Sequence, residues 1–461
     1  MSISSHPASP STTDPSLHLS LYRAIWRWHF LAGLLVLPFL LNLACTGSLY
    51  LFKNEINSTV FAYRNSVAPS ASPLPPSRLI AAAESRFPGY RATSITEGRT
   101  EAASSKVLLS GADGKLLVFV DPGDGRILDS LPPDQEFNQV VRKIHSLDYF
   151  GTFANRIIEA VGGLTMVLVA TGIFLWWPRR QTGGVVSVRG RPGRRVFWRD
   201  LHAVTGAFAG LFIFFLALTG MPWSNYWGSG VNAYLTQSGL GTPAELWDNV
   251  PTSTLVTEDV VTASGWTMAT APVPVSSGTG AATIFPHAIG VDRAVRIARS
   301  LGIAPGFELS LPADPTGVYT AAIFPEDLAH ERTIHIDQYS GKPLVDISYP
   351  QYPALGRAIE WGINVHMGQE WGLFNQLLML ATCLCIMLVC ITAVVMWWKR
   401  RPAGSIGVPP MPSQTTVYIG LWIIAALFGL AFPMSGIAIV AMIAIDQAII
   451  RLVPPLRRAF G

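Results

Sequence analysis

Apolar residues run almost unbroken through 25–52, 157–177, 204–223, 373–398, 416–432 and 436–452. About 20 such residues carry a helix across a hydrocarbon core of about 30 Å, so the first four runs predict membrane-spanning helices. The last two are short and share the turn Pro433-Met434-Ser435, which predicts a tight helical hairpin and an expected total of six. The pattern changes in the long polar segments 53–144 and 224–365. Each has a helix-like stretch (77–87 and 291–301) followed by residues that alternate with the period of a strand. Each then reaches the same signature, an Asp with a Gly four positions later: Val118-Phe-Val-Asp121-Pro-Gly-Asp-Gly125 and Ile334-His-Ile-Asp337-Gln-Tyr-Ser-Gly341. Two strands joined by a tight turn read this way. The stretch 224–290, rich in Gly, Pro, Ser and Thr, reads as a loop inserted before the second copy.

The membrane runs repeat as well. Trp-His29-Phe-Leu-Ala-Gly33 is followed by Thr46-Gly47, and Leu-His202-Ala-Val-Thr-Gly206 by Thr219-Gly220. Glycine follows the histidine by 4 positions and the Thr-Gly pair by 17 and 18 in both. His145 precedes Gly151, Phe153 and Trp176-Trp177, and His366 precedes Gly372, Phe374 and Trp397-Trp398, at offsets of 6, 8, 31 and 32 in each case. The predicted unit is helix, outer α+β module, helix, occurring twice.

A two-crossing unit keeps its orientation on duplication, so the copies are related by an axis along the membrane normal. Equivalent residues then lie at equal depth: His29 with His202, and His145 with His366. Two histidines facing each other at one depth are what an axially ligated haem iron requires. A lone histidine at a helix end is commonly an interfacial or hydrogen-bonded residue; four at duplicated offsets favour ligands. Metal binding without a porphyrin is disfavoured, because no carboxylate recurs beside each pair. Glu159 and Glu370 are out of phase, Asp446 has no repeat partner, and Glu159 reads as a buried polar contact. Arg27, Arg142, Lys143, Arg199 and Arg357 lie near the depths of haem propionates, although a positive-inside bias alone accounts for Arg27 and Arg199. The glycines at His+4 suit either a flat macrocycle or ordinary helix packing. His287, His330 and His335 read as surface residues of the outer segments, and His6 and His18 as solvated residues of the N-terminal tail.

Composition agrees. Half of the 461 residues are hydrophobic and only 13% are charged, against roughly a quarter charged in soluble proteins. Seven arginines lie between Trp177 and Asp200; Lys399-Arg400-Arg401 follows the fourth run, and Arg451, Arg457 and Arg458 the sixth. With Arg23 and Arg27 these place both termini on the cytoplasmic side. The net charge of +4 therefore reflects topology, not nucleic-acid binding. Cys45, Cys383, Cys385 and Cys390 all lie in apolar runs, and the three of the fourth run read as packing residues. There is no disulfide framework, zinc spacing or Cys-x-x-Cys-His haem attachment. No Gly-x-Gly-x-x-Gly opens a helix, so electrons must come from a quinol or a separate reductase.

The Trp-His29-x3-Gly33 helix, the Arg-Asp200-Leu-His202-x3-Gly206 helix with its Thr219-Gly220-x-Pro222-Trp223 end, and the Trp-Trp-x-Arg-Arg endings resemble PepSY-associated transmembrane proteins. The two Asp-x3-Gly hairpins look like PepSY modules, and the resemblance spans about residues 20–402. It implies an iron-regulated bacterial inner-membrane protein similar to di-haem ferric-siderophore reductases, with haem b held by His29, His202, His145 and His366. The expected fold is a six-helix all-α membrane bundle built from a duplicated two-helix unit, with periplasmic α+β PepSY-like modules. Its expected segments begin with a disordered cytoplasmic tail (1–20), a first span (21–52) and module 1 (53–144). A second span with its lead-in (145–177), a basic loop (178–199) and a third span (200–223) follow. Insert plus module 2 occupy 224–365, a fourth span with its lead-in 366–398, and a loop 399–414. Two last spans (415–433, 435–453) and a tail (454–461) complete the chain. A transmembrane ferric-chelate reductase is the leading reading. The alternatives are a non-redox scaffold or sensor binding a periplasmic partner, and a transporter; against transport, no broken helix or mid-membrane charge pair is evident.

Overall fold

A computed structural model describes residues 15–178, 183–276, 287–410 and 416–446. His6, Arg179, Arg180, part of the insert (277–286), the end of the sixth run and the C-terminal tail with Arg451, Arg457 and Arg458 lie outside the described residues. In chain order the principal helices are α1 (Pro15–Leu51), α2 (Pro76–Arg86), α3 (Phe137–His145), α4 (Thr152–Trp176), α5 (Arg195–Gly220) and α6 (Trp227–Gln237). They continue with α7 (Val291–Ser300), α8 (Ala354–His366), α9 (Leu373–Arg400), α10 (Thr416–Ala431) and α11 (Pro433–Ala444). The strands are β1 (Arg91–Thr96), β2 (Ser105–Gly111), β3 (Gly114–Val120), β4 (Ile127–Leu131), β5 (Thr252–Val256), β6 (Pro272–Pro274), β7 (Glu308–Ser310), β8 (Val318–Ile323), β9 (Arg332–Asp337) and β10 (Pro343–Ser348).

Among the described residues four stretches are long and apolar enough to cross a membrane: Leu19–Leu51, Thr152–Trp176, Arg195–Trp223 and Leu373–Arg400. The chain is a multi-pass membrane protein. The expected fifth and sixth spans are shorter apolar helices, α10 and α11, joined directly at Phe432-Pro433. Helix α1 already begins at Pro15, so the tail expected over 1–20 is helical from that point.

Contacts divide the chain into two compact units, one from Met1–Ala44, Arg156–Leu218 and Thr382–Gly461, the other from Cys45–Asn155 and Thr219–Ala381. In the first unit, Ala24, Ile25, Trp28 and Val36 of α1 pack with Val161 and Leu164 of α4 and with Val417, Leu421, Ile439 and Ile443 of the terminal hairpin. A second cluster joins Ala44, Ala209, Ile213, Cys383, Ile386 and Cys390, so two of the cysteines serve packing as expected. Trp176 donates through Nε1 to the Val185 carbonyl at 2.9 Å and Trp397 to that of Ile406 at 2.8 Å, fastening the loop that follows each helix. The adjacent Trp177 and Trp398 are exposed, as interfacial residues would be.

The second unit is built on an open eight-stranded antiparallel sheet, ordered β10-β9-β8-β7-β1-β2-β3-β4. Each half is one helix followed by a four-stranded meander. The halves join where β1 pairs with β7 (Ile95 opposite Leu309), a seam extended by the Leu311 N–H to the Thr93 carbonyl at 2.8 Å. Helices α2 and α7 cover one face through Leu79, Ala83, Ala294, Val295 and Ala298, which meet Ile95, Val107, Val118, Leu309, Ile334 and Ile336. The two hairpins form as predicted. Asp121 Oδ1 accepts the Gly123 N–H at 2.9 Å, and Asp337 Oδ1 accepts those of Tyr339 and Ser340 at 2.9 and 2.7 Å. The Gly125 and Gly341 N–H groups return to the Asp121 and Asp337 carbonyls at 2.9 and 3.0 Å. The Asp side chain nucleates the turn and the glycine closes it.

The insert departs from the loop expectation. It contains α6, a short helix at Thr257–Val260 and the two-stranded sheet β5-β6. Its polar residues fold because a ready-made partner awaits them, the second face of β7–β9. Glu308 accepts the Thr262 N–H, the Thr262 hydroxyl and the Ala263 N–H at 2.8, 2.7 and 3.1 Å. Ser276 donates to the Gly317 carbonyl at 2.7 Å.

Candidate histidine sites

His29 on α1 and Thr171 on α4 belong to the first unit, with Nδ1 and Oγ1 2.9 Å apart. The Thr171 hydroxyl already donates to the Val167 carbonyl at 2.7 Å, so its oxygen accepts from His29. In the same unit His202 Nδ1 lies 3.1 Å from both Thr392 Oγ1 and the Val389 carbonyl. A carbonyl only accepts, and Thr392 donates to Leu388 at 2.8 Å. Both rings therefore carry their proton on Nδ1, which leaves the Nε2 lone pair as the ligand atom.

The second unit repeats the contact. His145, the last residue of α3, has Nδ1 2.8 Å from Thr46 Oγ1, and His366, the last residue of α8, has Nδ1 3.0 Å from Thr219 Oγ1. Each of these helices stops at its histidine and re-enters a long helix after a glycine with positive φ, Gly151 at 84° and Gly372 at 57°. That left-handed turn explains the shared offset of 6, since residues with a Cβ rarely adopt it. Burial holds His145 down to about 4, so its ring is neutral near pH 7, the form in which imidazole ligates a metal. All four histidines are half-buried.

The glycines fall into two classes. An ideal Cβ on Gly172 would lie 3.2 Å from His29 Cε1, and one on Gly220 3.3 Å from His366 Cε1, so these glycines let a ring lie against the neighbouring backbone. Of the glycines at His+4, Gly206 would place a Cβ with nothing within 4 Å and Gly33 one 3.9 Å from Leu168. Gly33 thus packs against α4 at ordinary van der Waals distance, whereas Gly206 meets no neighbour among the described residues. The donor set and the open glycine face both fit a bis-histidine macrocycle.

The cationic candidates already have protein partners. Arg27 forms a buried bidentate ion pair with Asp446, one bond measuring 2.9 Å, and also donates to the Pro409 carbonyl. Arg199 pairs with Asp200 at 2.6 Å, Arg142 bonds Gln139 at 2.9 Å, Lys143 meets Asp134 at 3.4 Å and Arg357 reaches the Pro350 carbonyl at 3.4 Å. Glu159 is buried. His287 and His330 are exposed as expected, but His335 is not. It is fully buried, its Nδ1 2.9 Å from Thr320 Oγ1, and burial lowers it to about 3. The insert lies over its face of the sheet, which a strand pattern alone does not reveal. Sequence reasoning also missed Thr171 and Thr392. The signal was present, since each lies 26 positions after the histidine of its repeat.

Among the described residues no three His, Cys, Asp or Glu side chains cluster as a metal site. The family model for the PepSY-associated TM region matches residues 26–400, and the chain belongs to that family. No curated protein matches the chain.

Proposed function

We propose that this member of the PepSY-associated transmembrane family is a b-type cytochrome of a bacterial inner membrane, with both termini cytoplasmic. It would hold two bis-histidine haems, one between His29 and His202 and one between His145 and His366. The observation that carries this reading is the hydrogen-bonded Nδ1 of all four rings, each held by a threonine of the same repeat. Such outer partners orient a ligating imidazole and raise its basicity. Haem bound there supplies one-electron transfer at a potential set by ligation and burial.

The chain's own part is positional. Thr171 and Thr392 fix the Nδ1–H tautomer, and the four threonines set ring orientation. Electrons from a quinol or a separate reductase would cross to a periplasmic ferric chelate, a siderophore in the fullest form of the proposal. Reduction to Fe(II) weakens binding by hard oxygen ligands and frees the iron. A dithionite-reduced spectrum of the purified protein tests this. Two haems per chain are expected, with His29→Ala and His202→Ala losing the same one and His366→Ala the other. Loss of different haems in the first two variants breaks the depth pairing, and a protein without a haem band ends the redox reading.

A second reading needs less. The family match and the membrane architecture go no further than a membrane protein with a large extramembrane sheet. A non-redox scaffold or sensor that binds a partner through that sheet requires nothing more. Haem-free protein that retains its fold would favour it.

A further inference from the structure

The second unit buries two carboxylic acids together. Glu331 precedes β9 and Glu360 lies in α8, and they are 1% and 0% exposed. An ideal Cβ on Gly265 of the insert would lie 2.0 Å from Glu331 Oε1 and 3.0 Å from Glu360 Oε1, so these two oxygens are within about 5 Å of each other. Each Oε1 has a donor. The Tyr352 hydroxyl gives its proton to Glu331 at 2.9 Å, and the Thr267 N–H donates to Glu360. Each Oε2 is buried without a partner.

Among the described residues no neighbouring cation neutralises them. Arg332, next to Glu331, is held by Asp346 at 2.7 Å; His330 pairs with Asp327 at 3.2 Å; Arg357, on the helix of Glu360, reaches the Pro350 carbonyl. The remaining titratable neighbours are Tyr352 and Tyr349, which bring no positive charge. Two buried carboxylates at this separation cannot both ionise cheaply. One proton held by the pair removes that repulsion.

We propose that Glu331 and Glu360 form a carboxylic acid–carboxylate pair that holds one exchangeable proton, a proton-binding site built jointly by the insert, the lead-in to β9 and α8. The inference does not depend on haem. Its placement has a consequence nonetheless, because Glu360 lies on the helix that ends at His366, six residues on. Loss of the proton adds one negative charge to that helix. Burial and the second carboxyl favour the neutral form, with Glu360 raised to about 7 and Glu331 well above the usual carboxylate range.

Infrared spectroscopy of the full-length protein across pH 5 to 9 reads the protonated carboxyl directly. The expected result is a carboxylic acid band that falls by one proton as pH rises through neutrality and persists above it, from the proton the pair still holds. Glu331→Gln and Glu360→Gln each supply an amide N–H in place of the shared proton, and each should lower the transition by a unit or more. Tyr352→Phe, which removes a donor from the ionised form, should raise it; this mild change guards against misfolding of the glutamine variants. A wild type without the band, or glutamine and phenylalanine variants that shift the same way, overturns the proposal. So does a divalent cation found by elemental analysis and lost in the double glutamine variant, since the cation would then replace the proton.

Discussion

Phe119 of β3 and His335 of β9 occupy the same place in the two halves of the sheet, each two residues before the turn aspartate. Opposite Phe119 stands Lys106, whose ammonium lies 5.2 Å from the ring centroid, with the Arg64 guanidinium at 5.0 Å. Opposite His335 stands Thr320, joined to it by a 2.9 Å hydrogen bond. The difference follows from what covers each face. Residues of β2 alternate between buried and half-buried, so Lys106 keeps part of its side chain in water, while Arg64 is buried and paired with Asp129 at 3.2 Å. All six residues of β8 are buried, because the insert closes the second face. A charged side chain there has nowhere to solvate. One strand order thus supports two chemistries, paired cations over an aromatic ring in the first half and a dry, uncharged hydrogen bond in the second.

Exchanging residues between the halves is the strongest way to break this comparison. Thr320→Lys buries an ammonium opposite a neutral histidine and should destabilise the second half by several kcal/mol. Chemical denaturation of the purified chain checks it, and a loss under about 1 kcal/mol would mean that the insert admits water. Next in size, Glu308→Ala removes the carboxylate that takes three hydrogen bonds from Thr262 and Ala263. A loss of about 3 kcal/mol is expected, with new proteolytic cleavage within the insert and none in the first half.

Acidity sharpens the contrast further. Glu360 is raised in the fold from 4.5 to about 7, so its folded state keeps a proton that the unfolded chain has lost between those values. Its contribution to stability is full below about pH 4.5 and is lost as pH rises through about 7. Melting followed from pH 5 to 8 should show the second half weakening by up to about 1.4 kcal/mol per pH unit, and Glu360→Gln should flatten that slope. On the haem reading, the potential associated with His366 should also fall over the same pH range, because the added negative charge favours the oxidised iron. The smallest effect belongs to the reverse exchange. Lys106→Thr loses a half-exposed ion pair with Glu136 and a cation–π contact, and should cost under about 1 kcal/mol.

The sequence by itself determined the elements whose signals are local. Apolar runs fixed four helices long enough to cross a membrane, because an unsatisfied backbone in hydrocarbon leaves a helix as the economical form. Asp121 with Gly125 and Asp337 with Gly341 fixed two hairpins, since each turn is closed by its own side chain and backbone. The offsets of His29, His145, His202 and His366 marked the candidate site for the same reason, as a pattern written along the chain. Tertiary structure alone decided which ring each threonine holds: Thr171 and Thr392 stand at equal offsets from His145 and His366, yet they bond His29 and His202. It also decided that His335 is buried, that the insert folds, and that Glu331 meets Glu360. These outcomes depend on which surface another segment happens to cover, and burial of a polar group is a property of its neighbours in space. No periodicity records it.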